Sequence, residues 1–243
     1  MHLIKLDATN STNTYLKRLQ QEQVLQDFTV VQAAHQYEGR GQMGASWLAD
    51  PGKNLTFSIL KKYNSLPVKD GFAITMAVSM AVFKGLQELM VPDLSIKWPN
   101  DILSGSHKIC GILIENMTAG GFIQSSVIGI GLNVNQLDFT HLPQASSLQL
   151  LLGRPFAIDE TRDILLRQLQ AYFERLSDRD CEDMKDSYEA RIFRKDKAST
   201  FRGSDDRLFM GFIRGVSPEG RLIISVEGEE LCEFDLKEVQ LMY

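Results

Sequence analysis

Gly39-Arg40-Gly41-Gln42-Met43-Gly44-Ala45-Ser46-Trp47 is a stretch that no helix or strand interior can use, because glycine there sacrifices backbone entropy and offers no side chain to bury. Three glycines surround one arginine, and a tryptophan closes the segment. Such a loop suits an anion, with backbone N–H groups turned inward and a guanidinium supplying charge and a planar fork. A mobile surface loop has the same composition. What separates the two is whether the rest of the chain needs an anion held.

Working outward, Phe28 to Ala34 is apolar and β-branched and predicts a buried strand leading into the loop. Before it, Asn10-Ser11-Thr12-Asn13 is suited to cap a helix through Tyr15, Leu16 and Leu19. After it, Leu55–Leu60 predicts the next strand. Val68 to Met90 carries Phe72, Met76, Met80, Phe83 and Leu86 at helical spacing and predicts one long buried helix. Three apolar strands follow, Leu94–Trp98, Ile109–Glu115 and Phe122–Ile130, with turn chemistry at Pro99-Asn100-Asp101 and Ser104-Gly105-Ser106-His107 between the first two. Asp159–Leu176 predicts an amphipathic helix and Cys181–Phe193 a second one. Beyond about Lys197 the period changes to two, at Leu208–Val216, Arg221–Val226, Leu231–Asp235 and Val239–Met242, with turns at Pro218-Glu219-Gly220 and Glu227-Gly228-Glu229. This predicts an α+β main domain over residues 1–195 and a small β-barrel over 196–243.

The composition is that of an ordinary soluble globular protein: 243 residues, 44% hydrophobic, 23% charged. A net charge of −5 argues against general nucleic-acid binding driven by phosphate neutralisation. Cys110, Cys181 and Cys232 are scattered and odd in number, which favours neither a disulfide framework nor a zinc site. No leader-like or bilayer-length apolar run is present, so a reducing cytoplasm and no membrane partner are expected.

Five polar or glycine-rich elements fall at the ends of predicted segments: Ser11-Thr12-Asn13, the glycine loop, Lys97-Trp98-Pro99-Asn100-Asp101, Lys108-Ile109-Cys110-Gly111-Ile112-Leu113-Ile114-Glu115, and Gly129-Ile130-Gly131-Leu132-Asn133-Val134-Asn135. Singly they suit a helix cap, a turn, a solvated lysine and loop asparagines that satisfy backbone. His35 and His107 lack partners at metal-ligand spacing, and Glu227, Glu229 and Glu230 suit a solvated turn. Together, in this order, the elements resemble the biotin protein ligase family over essentially the whole chain from Ser11 to Val239.

The resemblance implies a mixed-sheet α+β catalytic domain of the biotin/lipoate ligase, class II synthetase-like type, with an SH3-like C-terminal barrel. It implies activation of biotin with ATP and Mg²⁺ to biotinyl-5′-AMP, then transfer to one lysine of a biotin carboxyl carrier protein domain. It places Ser11, Thr12, Asn13, Gln36, Arg40, Gly41, Gln42, Lys108, Gly111 and Ile112 around biotin. Arg40, Trp47, Asn100, Asp101, Lys108 and Asn133 fall to ATP, with Asp101 the residue for Mg²⁺. Lys108 and Arg40 are the catalytic pair, because two anions must meet and cations between them lower their repulsion. The loop doubles as a cover that keeps water from an acyl-adenylate. With the first motif at Ser11 there is no room for a preceding helix-turn-helix domain, so the expectation is a monofunctional ligase that does not bind DNA. An exposed strand edge beside the site would serve the carrier domain or a second copy in a homodimer.

Two departures stand out. Gln42 and Ala45 occupy positions where the family often has basic residues, leaving one cation in the loop. Lipoate or octanoate transfer is the nearest rival reading, and a non-catalytic biotin-binding module the second. Lipoate and octanoate enzymes share the fold and a similarly placed lysine, but they lack Lys-Trp-Pro-Asn-Asp together with this C-terminal segment. Pure biotin binding needs no phosphate site.

Overall fold

The computed structural model describes residues 2–177, 181–226 and 230–243. Strands β1 (His2–Thr9), β2 (Thr29–Gln36), β3 (Leu55–Pro67), β4 (Leu94–Lys97), β5 (Asp101–Ser104), β6 (His107–Ala119) and β7 (Phe122–Leu132) form one sheet in the order β1-β2-β3-β7-β6-β5-β4. The β1–β2 pair is parallel and every other pair antiparallel, as the mixed-sheet expectation requires.

Alternation along the strands sends neighbouring residues to opposite faces, and both faces are covered. Val30, Ile59 and Ile128 point into the main core, whereas Val31, Leu60 and Val127 point into a second cluster with Leu16. The main core is filled by α2 (Phe72–Glu88), α4 (Ile158–Ser177) and α5 (Cys181–Glu189), and the second face is covered by α1 (Thr12–Glu22). A short α3 (Leu148–Leu152) is closed by Gly153 in the left-handed region. α2 is apolar on nearly all sides and buried accordingly.

The C-terminal segment forms β8 (Ser199–Gly203), β9 (Leu208–Val216), β10 (Leu222–Val226), β11 (Glu230–Phe234) and β12 (Val239–Met242), an antiparallel sheet in the order β11-β10-β9-β8-β12. The barrel expectation is corrected to this extent: a fifth strand, β8, is present, and no ladder joins β11 to β12 among the described residues. Phe201, Ile213, Val216 and Ile224 from this sheet lie in the same hydrophobic cluster as α2. The Trp98 indole N–H donates to the Gly220 carbonyl at 2.9 Å, tying the two sheets beside the candidate site.

Other differences have local causes. The helix predicted from Val68 starts at Phe72, because β3 continues to Pro67 to pair with Phe122 and a 3₁₀ turn at Val68–Asp70 intervenes. α5 stops at Glu189, short of Phe193, since Ile192 leaves the helix to bridge Ile96. The turn expected at Glu227-Gly228-Glu229 lies outside the described residues. Among the described residues no helix is long and apolar enough to cross a membrane.

Candidate active site

A cavity of about 290 Å³ opens where the N-terminus of α1, the glycine loop, the β4–β5 connection and the middles of β6 and β7 converge. Every candidate residue except Asn133 lines it. Asn133 is buried instead beside the β7 end, where its amide donates to the Ser146 carbonyl at 3.0 Å and its N–H to the Ile109 carbonyl at 2.9 Å. That position fits the loop-satisfying alternative.

One wall is buried. Ser11, Thr12 and Asn13 are 4%, 3% and 2% exposed. Ser11 stands at the N-cap of α1, yet its side chain makes no cap bond. Instead Gln36, at the end of β2, accepts from the Thr12 N–H at 2.7 Å and from the Thr12 hydroxyl at 3.0 Å, so one amide oxygen serves a free helix N–H and fixes a site hydroxyl. Ser58 Oγ lies 2.7 Å from Thr12 Oγ1 and 2.6 Å from Asn13 Oδ1. Asn13 donates to Glu115 Oε2 at 2.8 Å. The floor is glycine by necessity: a Cβ on Gly129 would stand 2.5 Å from Asn13 Oδ1, and one on Gly131 would strike the Trp47 indole.

The opposite wall is charged and more open. Lys108 Nζ pairs with Asp101 Oδ1 at 2.7 Å and lies 5.8 Å from the Trp47 ring centroid. β5–β6 pairing brings this about, because it sets Lys108 opposite Leu103 with a register shift beside Ile102 and sets Asp101 opposite Gly111. Asn100 is buried and its amide donates to the Ile112 carbonyl. Next to this pair, burial, reinforced by the Asp101 charge, pushes the Cys110 thiol well up, which leaves it a core residue and no thiolate nucleophile.

The glycine loop is a tight hairpin. Gly41 N–H bonds the Ala45 carbonyl at 2.6 Å, Trp47 N–H the Gly39 carbonyl at 2.9 Å, and Arg40 bridges Ser46. A 3₁₀ turn at Gln42–Gly44 closes it, with Met43 and Gly44 at φ 59° and 81°. The inward cradle of N–H groups predicted for this loop is thus not formed by Gly41, Ala45 or Trp47, whose amides are used within the hairpin. Gly39 is required because a Cβ there would collide with the Trp47 carbonyl. The Arg40 guanidinium donates to Thr14 Oγ1 at 2.7 Å and stands 3.6 Å from Glu115 Oε2. Burial raises the Glu115 pKa, but the hydrogen bonds from Lys17 and Asn13 and the charges of Lys17 and Arg40 outweigh it, and the net shift is downward.

These residues form a polar recess beside a cationic one, with planar walls and bare backbone between them. A model of the biotin/lipoate A/B protein ligase family matches residues 6–133. The chain belongs to the biotin/lipoate A/B protein ligase family. Among curated proteins, a biotin–[acetyl-CoA-carboxylase] ligase of Mycobacterium tuberculosis is 32% identical over 90% of this chain and 82% of its own length. The bifunctional ligase/repressor BirA of Bacillus subtilis is 34% identical over 56% of this chain, and the match spans only 41% of that relative. Among solved structures, the biotin protein ligase of Aquifex aeolicus in complex with biotin and ATP superposes with a TM-score of 0.80 at 24% identity, covering 99% of this chain and 98% of that one. The fold is that of the biotin protein ligases.

For this family member, sequence reasoning passed over three residues of interest. Lys97 and Leu236 line the cavity, and Glu115 stands behind Asn13 and Arg40. Lys97 and Glu115 sit inside quoted motifs, so their position was a usable signal. Leu236 arrives from the connection between β11 and β12, and nothing local to it marks a site.

Proposed function

We propose that this chain is an ATP-dependent biotin protein ligase, which condenses biotin with ATP to biotinyl-5′-AMP and passes the biotinyl group to a lysine of a biotin carboxyl carrier protein domain. The observation that carries the reading is the Lys108–Asp101 ion pair at 2.7 Å, set in one cavity with Arg40 and the buried polar wall of Ser11, Thr12 and Asn13. A hydroxyl-and-amide wall suits a ureido ring, which offers two N–H donors and one carbonyl acceptor. In this reading Gln36, Gly41, Gln42, Gly111 and Ile112 complete the biotin recess, and Trp47, Asn100 and Asp101 face the nucleotide. Residues 1–195 act as the catalytic unit, with 196–243 as an appended β segment.

In the first step the biotin carboxylate attacks the α-phosphorus of ATP, forming a mixed anhydride and releasing pyrophosphate. Both reactants are anionic. Lys108, held beside the cavity by Asp101, bridges carboxylate and α-phosphate and offsets charge that grows on the phosphoryl oxygens. Asp101 is the carboxylate lining the cavity, and no group of three metal-ligating side chains occurs among the described residues. Magnesium would arrive with ATP; Asp101 is the residue that would hold it, and it would neutralise phosphate charge. In the second step the acceptor lysine amine attacks the carbonyl carbon and AMP leaves. Asp101, which lines the cavity, orients the incoming amine.

Pyrophosphate exchange into ATP, run with biotin, lipoate or octanoate, tests the reading. Exchange with biotin alone is expected. Exchange with lipoate or octanoate in its place would move the chain to another branch of its family, and none with any acid would leave a binding module.

A further inference from the structure

We propose that Glu115 is a positioning residue for two parts of the site at once: it orients the Asn13 amide, and it parks the Arg40 guanidinium at the cavity rim until an anion draws it in. This inference rests on the proposed function. It follows from how one carboxylate is shared. Oε2 accepts from Asn13 Nδ2 at 2.8 Å and faces Arg40 at 3.6 Å, while Oε1 accepts from Lys17 at 2.8 Å.

An asparagine amide can sit in either of two flips, and its partners decide which. With Glu115 accepting on one side and Ser58 Oγ 2.6 Å away on the other, Asn13 has its NH₂ turned from Ser58 and its oxygen fixed against Gly129. Without Glu115 the NH₂ keeps only the Leu113 carbonyl at 3.4 Å. A buried donor with so poor a partner is costly, so the amide loses its single orientation.

The Arg40 contact is of a different strength. It is long, and the Arg40 side chain is 45% exposed, which makes it a weak ion pair that adds to the 2.7 Å hydrogen bond from the guanidinium to Thr14 Oγ1. Lys17 stays on the other oxygen, so Glu115 is never left unpaired when Arg40 departs. The arrangement holds the cation close to the cavity and releases it without leaving a buried charge behind.

A double-mutant cycle on biotin binding, measured by calorimetry on the intact chain, tests the first half. Asn13→Ala and Glu115→Ala are each expected to weaken biotin about tenfold, and the double variant also about tenfold, because both remove one shared interaction. Glu115→Ala should raise the KM for biotin by a similar factor while kcat stays within about twofold. A purely structural role would lower apparent kcat through loss of folded protein and leave KM unchanged. Losses that multiply to about a hundredfold in the double variant, or a Glu115→Ala affinity within about twofold of wild type, would overturn this half.

Trypsin cleavage after Arg40 tests the second half and needs no ligand. Glu115→Ala is expected to be cut there at least about threefold faster than wild type, with Lys17→Ala close to wild type. Equal rates for Glu115→Ala and wild type would overturn it. Should wild type itself fail to bind biotin, the proposed function falls, and the cleavage rates still decide the Arg40 claim.

Discussion

The two walls of the cavity are built on opposite principles. The α1–β6–β7 wall is buried, the Thr12 and Asn13 side chains are held by Gln36, Ser58 and Glu115, and its glycines are fixed by direct collision with Asn13 and Trp47. The loop wall is half open, carries Arg40 on a hairpin whose tip is exposed, and holds a buried Trp47 Nε1 with no hydrogen-bond partner. A neutral ureido ring can be met by a rigid wall, because its donors and acceptors do not change during reaction. Charge that develops on a phosphoryl group calls for cations that close over it. The contrast teaches where substrate recognition ends and chemistry begins.

The largest effect that would break this contrast is Lys108→Ala. It should lower biotin-dependent pyrophosphate exchange by about 10²- to 10³-fold with the melting temperature little changed, since the lysine side chain is 37% exposed. Near-normal exchange would move the chemistry away from this pair. Next, Gly129→Ala drives a Cβ to 2.5 Å from Asn13 Oδ1. Overpacking a rigid wall costs about 1–3 kcal/mol, so biotin affinity should fall tenfold or more, read by calorimetry. If the wall yields and affinity is kept, it is not rigid.

The glycine loop should respond more gently. Gln42→Arg adds a cation to a loop that carries one and should slow biotinyl-5′-AMP release by several-fold, as for a single exposed ion pair of about 1 kcal/mol. An unchanged off-rate would show that loop charge does not set retention. The smallest effect concerns pH. Glu115 has a lowered folded pKa, so its stabilising contribution is present above the ordinary glutamate value and is lost as pH falls through the lowered one. Melting curves of Glu115→Gln should therefore lose part of the wild-type decline in acid, and parallel curves would contradict the network.

Legibility in the sequence followed the same division. β9 and β12 matched their predicted limits, Leu208–Val216 and Val239–Met242, because alternation is a strong local signal in a half-buried strand. β1 escaped because it is an edge strand whose side chains are mostly exposed or half-buried, and β5 because Asp101–Ser104 lies between two turn-like clusters. Site residues were legible as motifs: Ser11–Asn13, Arg40, Lys108 and Asp101 converge as their order implied. What the motifs did not carry was partnership. That Gln36 caps α1, that Asn133 supports a loop outside the cavity, and that Glu115 joins Asn13 to Arg40 all depend on contacts between residues 13 to 102 positions apart. The loop's internal hairpin was hidden for a related reason: its glycines permit an anion cradle and a hairpin equally, and only the Gly39–Trp47 approach decides between them.

The most direct measurement is mass spectrometry of the protein after incubation with biotin and Mg·ATP in the absence of any acceptor. The account predicts biotinyl-5′-AMP bound to wild type and none on Lys108→Ala. Wild type that yields no biotinyl-5′-AMP, or Lys108→Ala that accumulates it as wild type does, would contradict it.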